Sequence, residues 1–261
     1  MTIFESCPTL ESKRFLLRFI QSEDCDDLLK VYSDKNALPF FNSDNCNGDN
    51  FYYPTKQRMA EAISFWIWSY KIGEFVRFSI IDKAASSAIG TMEIFYRVSN
   101  DAFDTMGLLR VDVRSDYEKE DMLYELFALI TPRLPEMLGC SGVVTKAPLY
   151  AVERVNAVQK AGYQKSEHLL TAGNGRTYDG YWVLQSGFLL PRYFKNGVTL
   201  YRVCTGGVSC GFFPVCGRKM TGHGHRAALF RQAGCPVDLP RTDGFGKPFA
   251  GRGNIHKKTS V

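Results

Sequence analysis

Residues 106–130 read MGLLRVDVRSDYEKEDMLYELFALI, and this stretch decides the fold. Leu109, Val111 and Val113 alternate with Arg110 and Asp112, the period of two that a half-buried strand requires. Leu123, Leu126, Phe127 and Ile130 then recur at the spacing of one helix face. Between strand and helix, residues 114–121 hold six charges in eight positions and no glycine. A strand entering a helix through a short loop offers an anion site, because the first helical N–H groups have no partner within the helix.

Upstream, RFLLRFI at 14–20 predicts a strand, with Ser22 as N-cap of a helix that carries Cys25, Leu28, Leu29 and Tyr32 on one face. Residues 34–49 have turn composition and form a long loop of the kind that borders sites. Thr55 caps a second helix with Met59, Ile63, Trp66 and Tyr70 on one stripe, and Gly73 ends it. Strands at 76–82 and 88–98 lead into the opening stretch. Downstream, Pro132 and Pro135 stop its helix near Thr131. A strand at 141–147 and a helix at 151–161 follow, the helix with Val152, Val155 and Val158 inward and Gly162 at its left-handed end. A hairpin of 167–170 with 178–184, turned around 173–175, closes the series. The order β-α-α-β-β-β-α-β-α-β-β contains no internal repeat. It predicts a mixed α/β (α+β) layer structure with helices covering a central sheet.

The 261 residues are 45% hydrophobic and 13% aromatic, sufficient for a large core. The net charge of +5 hides two unlike parts: residues 187–261 hold 12 Lys and Arg against 2 Asp and Glu, and residues 1–186 hold 20 against 25. We expect a folded domain at 1–186 and a basic, Gly- and Cys-rich, poorly ordered extension at 187–261. Cys7, Cys25, Cys46 and Cys140 show no pairing pattern, which fits reduced thiols in a cytoplasm. The opening MTIFESCPTLE shows no basic region followed by an apolar run, so no signal segment is expected, and no stretch approaches the roughly 20 apolar residues of a membrane span. Cys204, Cys210, Cys216, His223 and His225 invite a zinc reading, but five residues separate successive cysteines, wider than the common knuckles, and no metal is expected. The basic extension holds no recognisable nucleic-acid module, so nucleic acid is not an expected partner.

Three further segments join the opening stretch in carrying a family likeness. These are ESKRFLLRFIQSEDCDDLLKVYSD at 11–34, SAIGTMEIF at 87–95 and QKAGYQKSE at 159–167. In order and content they resemble the GCN5-related N-acetyltransferase (GNAT) superfamily, in its ribosomal-protein-alanine-acetyltransferase-like branch. The resemblance covers about residues 11–184. It implies a GNAT-like fold with a mixed, mostly antiparallel sheet flanked by helices. It implies transfer of acetyl from acetyl-CoA, a co-substrate, to a primary amine, either a protein N-terminus or a small amine. Acyl-CoA and the amine acceptor are then the partners, without membrane or metal, and a homodimer is an open assembly. The backbone of Val111 and Val113 would run along the pantetheine arm. The cofactor turn of the family, Q/R-x-x-G-x-G/A, falls on Glu118, Asp121 and Leu123, so this sequence departs at all three positions. Glu118, Lys119, Glu120, Asp121 and Met122 are the candidate residues around the diphosphate. Arg154 stands where the family's N-x-x-S places its serine, beside the cofactor thiol. Like charges a few ångströms apart cost on the order of 1 kcal/mol unless water screens them. These departures support a second expectation, a catalytically degenerate domain that binds a ligand or partner.

The resemblance also assigns chemistry. A sheet carboxylate would deprotonate the amine, and the candidates are Glu93 and Asp112. Glu93 shares a face with Thr91 and Phe95, and burial there would raise its pKa; the plainer reading is a sheet-edge acid. Asp112 has Arg110 two residues away on the same face, and an ion pair between them would make it the poorer base. Glu93 is therefore the expected base. Tyr150, with Tyr163 as alternative, is the candidate proton donor to the leaving thiol. Phe40, Phe41, Phe51, Tyr52 and Tyr53 flank the long loop and either line an acceptor site or staple the loop down.

Overall fold

The computed structural model describes residues 3–185 and, beyond them, the backbone of three short strands. The domain begins with β1 (Leu10–Glu11), β2 (Phe15–Phe19), α1 (Cys25–Tyr32) and α2 (Lys56–Lys71). It continues through β3 (Val76–Asp82), β4 (Ser87–Tyr96), β5 (Gly107–Val113) and α3 (Glu120–Ile130). Then come α4 (Leu134–Leu138), β6 (Gly142–Lys146), α5 (Val152–Lys160) and β7 (Gln164–Lys165). β8 (Leu170–Thr171), β9 (Thr177–Tyr178) and β10 (Tyr181–Gln185) follow. An antiparallel ladder of β11 (Tyr193–Lys195), β12 (Val198–Val203) and β13 (Gly211–Pro214) follows. Cys204, Cys210, Cys216, His223 and His225 lie outside the described residues.

Eight strands form one sheet in the order β1-β2-β3-β4-β5-β6-β10-β7, antiparallel throughout except at β5–β6. The predicted alternation sorts its two faces. Leu109, Val111 and Val113 join Leu123, Leu126 and Phe127 of α3 in one core, with Ala157 and Val158 of α5. On the other face Leu108, Phe95 and Val144 meet Leu28 and Val31 of α1 and Met59, Ile63 and Trp66 of α2. Each fully buried Leu, Ile, Phe or Met contributes about 1.5–3 kcal/mol over exposure. Gly90, in the AIGTMEIF strand, is where β4 and β5 approach too closely for a side chain: a Cβ there would lie 2.2 Å from the Asp112 carbonyl oxygen.

Several expectations hold. α3 ends at Ile130 before Pro132, Thr55 accepts the Arg58 N–H as N-cap of α2, and Gly162 takes φ 90° after α5. Others change. The entry to α1 is closed by Asp24, whose Oδ2 accepts the Gln21 N–H at 2.9 Å, and not by the Ser22 hydroxyl. The hairpin around 173–175 consists of β8 and β9 alone; β10 leaves it to pair with β6 and β7. In α5 the inward residues are Arg154, Ala157 and Val158, while Val152 is 63% exposed. The face that satisfies helical spacing from Ala151 runs through 154, 155 and 158, and a guanidinium holds its centre.

Candidate functional site

β5 pairs with β4 along its whole length but with β6 only through Gly107, Leu108 and Leu109. Past that point β6 follows β10, with the Ala147 N–H donating to Gly180 O at 2.9 Å and the Trp182 indole N–H to Ala147 O at 2.8 Å. A gap therefore opens beside Val111, at the side where α3 begins. Such an edge presents backbone acceptors and donors that must be satisfied.

Arg154 satisfies Val111. Its Nη1 donates to the Val111 carbonyl at 2.6 Å, while Nε and Nη2 donate to the two carboxylate oxygens of Glu118 at 2.7 Å each. Both side chains are buried. Burial pulls the Arg154 pKa down, but the Glu118 charge and hydrogen bonds outweigh it and the net shift is upward. At the start of α3, the Glu120 N–H donates to Glu153 Oε2 at 2.7 Å. An internal carboxylate thus sits at the helix N-terminus, where its charge is favoured. Lys119 is the exposed N-cap position, Met122 packs against the α3 core, and Glu120 accepts from Lys160 Nζ at 3.2 Å. Asp121 points elsewhere, pairing with Arg14 at 2.6 Å on the surface. Beyond it, Arg14, Tyr124, Arg133 and Lys160 help line an open groove of about 520 Å³. Neither Val111, Glu118, Asp112 nor Arg154 reaches that groove.

On the opposite face of the sheet lies a lattice of buried charge. The registers set Arg77 opposite Glu93 and Glu93 opposite Arg110. Arg77 Nη2 donates to Glu93 Oε2, and Arg110 Nη1 donates to Oε1 at 2.5 Å. Glu93 is 1% exposed, and each of its oxygens receives a guanidinium N–H. Arg77 also lies 4.0 Å from the Trp66 ring centroid. The expected Arg110–Asp112 pair does not form. Residues directly opposite on paired strands are closer than residues two apart on one strand, so Arg110 reaches across to Glu93.

Asp112 has other partners. Its Oδ1 accepts the Asn42 N–H at 3.2 Å and its Oδ2 accepts the Tyr32 hydroxyl at 3.3 Å, with Arg77 Nη1 at 3.8 Å. Burial raises its pKa above the usual carboxylate range, against the opposing charges of Arg77 and Arg154. The long loop covers this lattice. Asp44 accepts Arg110 Nη2 at its carbonyl, 2.9 Å, and takes Lys146 Nζ at 2.5 Å and the Tyr181 hydroxyl at 2.9 Å on Oδ2. Phe41, Phe51 and Tyr53 are buried against the Tyr32 ring, so these aromatics staple the loop. Tyr150 is 65% exposed, its hydroxyl donating to Pro39 O at 2.6 Å.

Sequence reasoning missed Arg77, Tyr32, Asp44, Lys146, Tyr181 and Glu153. One signal was present: Arg77 and Ser79, Thr91 and Glu93, Arg110 and Asp112 each place two polar residues on one face of successive apolar strands. Among the described residues no group of three or more His, Cys, Asp or Glu side chains is gathered as for a metal ion, and no helix is long and apolar enough to cross a membrane.

Neither a family model nor a curated protein matches the sequence. Solved structures do match the fold. An acetyltransferase of the GNAT family from Bacillus anthracis is 10% identical, with 68% of this chain and 98% of that chain covered at a TM-score of 0.52. A ribosomal-protein-S5-alanine acetyltransferase from Vibrio fischeri is 13% identical, with 67% and 94% covered at 0.51. A ribosomal L7/L12 alpha-N-protein acetyltransferase, in complex with coenzyme A, is 11% identical, with 68% and 98% covered at 0.51. The mostly antiparallel sheet, its single parallel contact and the flanking helices are thus those of the GNAT acetyltransferases, and this chain carries their fold.

Proposed function

We propose that the domain is an acyl-CoA-dependent N-acetyltransferase that moves acetyl from acetyl-CoA to a primary amine, a protein N-terminus or a small amine. The observation that carries this reading is the divergence of β5 from β6 beside the N-terminus of α3, within the acetyltransferase fold. The edge at Val111 and Val113 would take the pantetheine arm, and the first turn of α3, residues 119–122, would take the diphosphate. Neighbours of this fold are named for acetylation of ribosomal proteins, and one was solved with coenzyme A, which supports the same substrate class here.

We assign the base to Asp112 in place of Glu93. Asp112 adjoins Val111 on β5, and burial raises its pKa, which makes its carboxylate the stronger proton acceptor once deprotonated. Glu93 serves as the shared counter-ion of Arg77 and Arg110. Tyr150 remains the candidate donor to the leaving thiolate.

A second reading has one observation in its favour. The Arg154–Glu118 pair already occupies the carbonyl of Val111, as in a domain that no longer binds acyl-CoA and serves as a binding module. Titration calorimetry of the full chain with acetyl-CoA separates the two. Saturable binding in the micromolar range, followed by acetylation of peptide or small amines, supports the enzyme; a flat titration supports the module.

A further inference from the structure

Two adjacent residues of α5 meet the two demands of the gap. The Val111 carbonyl needs an N–H donor and receives Arg154; the N-terminus of α3 needs an anion and receives Glu153. Arg154 brings Glu118 as its own counter-ion, so that pair is neutral and needs no ligand. An amide-bearing chain that ends in a diphosphate would present the same two groups in the same two places.

We propose that Glu153 and Arg154 are built-in occupants of the acyl-CoA slot, so that the ligand-free domain closes its own cleft and acyl-CoA binds by displacing them. The diphosphate takes the place of the Glu153 carboxylate at the Glu120 N–H. The pantetheine arm takes the place of the Arg154 guanidinium at the Val111 carbonyl. The inference rests on the acetyltransferase reading and adds the control of that site. The two stations differ in strength. Glu153 is exposed and contributes one hydrogen bond, whereas Arg154 is buried with three. The two ends of the ligand therefore meet unequal resistance, weak at the diphosphate and strong at the pantetheine.

The test is calorimetry on the full chain with three probes: coenzyme A, pantetheine and ADP. Glu153→Gln should tighten coenzyme A and ADP by about tenfold, the weight of one charge-assisted hydrogen bond, and leave pantetheine unchanged. The double variant Glu118→Gln with Arg154→Ala should tighten coenzyme A and pantetheine by about a hundredfold. If the wild type binds coenzyme A in the micromolar range and both variants stay within twofold of it, the self-occupied slot is wrong and the acetyltransferase reading stands. If wild type and both variants melt cooperatively yet none binds coenzyme A, the gap is no acyl-CoA slot and both ideas fall. Should the double variant fail to fold, Glu153→Gln decides alone, because that side chain is exposed.

Discussion

Glu93 stands across the ladder from Arg77 on one side and Arg110 on the other, with both carboxylate oxygens engaged. Removing its charge takes from two buried guanidinium groups the anion they share, leaving Arg77 only the more distant Asp112, and breaking such a pair costs about 3–5 kcal/mol. Glu93→Gln should therefore lower the melting temperature sharply, and any loss of activity should track the unfolded fraction. Asp112→Asn should behave in the opposite way: the fold survives, and turnover on an accepted amine falls by roughly 10²-fold or more. Full activity in Asp112→Asn would remove that residue as base. The pH dependence has a definite sign. The folded pKa of Asp112 is raised above its ordinary 3.8, so its contribution to stability is complete below 3.8 and is lost as pH rises through the folded pKa. Asp112→Asn removes that loss, and its stability relative to wild type should improve from about pH 4 upward. The sequence placed both acids on the correct strands and named both as candidates. It could not assign their partners, because alternation along a strand fixes the face of a residue and leaves the cross-strand register open.

Asp24 ties three elements together at the start of α1. It takes Arg18 Nη1 of β2 at 2.9 Å, the Ser79 hydroxyl of β3 at 2.6 Å and the Gln21 N–H of the turn at 2.9 Å. Burial alone would raise its pKa, yet these donors outweigh it and hold the carboxyl below the usual 3.8. Its contribution is therefore present above 3.8 and is lost as pH falls through the lowered folded value. Asp24→Asn should cost about 2–3 kcal/mol at neutral pH, with the difference from wild type shrinking in acid; equal melting of both proteins at pH 7 would contradict this. Ser22 was the N-cap read from sequence, one of three acid or hydroxyl positions in a row that chemistry alone does not rank. Helix ends set by backbone chemistry were legible, as Pro132 and Gly162 show. The inward face of α5 was not, because a buried arginine looks in sequence like a solvated one until Glu118 is found facing it.

Among the described residues, both cores of the large sheet are filled by side chains between Ile3 and Leu184. A chain truncated after Ser186 should accordingly be soluble and melt in one cooperative transition; aggregation of that chain alone would mean that the extension belongs to the domain. At this scale the fold was the most legible property, since length, order and spacing of the elements all point the same way. The state of the slot was the least legible. Arg154, Glu118 and Glu153 are distant or unremarkable in sequence and acquire meaning only when α5 lies beside α3. The sheet order also has a consequence in time. From β1 to β5 each strand lies beside the one made just before it, so the ladder can grow as the chain is synthesised. β6 then waits, because its outer neighbour is β10 and, among the described residues, β7 pairs in this sheet with β10 alone. Until Tyr181–Gln185 leave the ribosome, a growing chain carries an open strand edge and an unanchored final turn. β10 is the strand that joins β6 to β7, and a ribosome stalled just ahead of it holds a chain primed to pair with its neighbours.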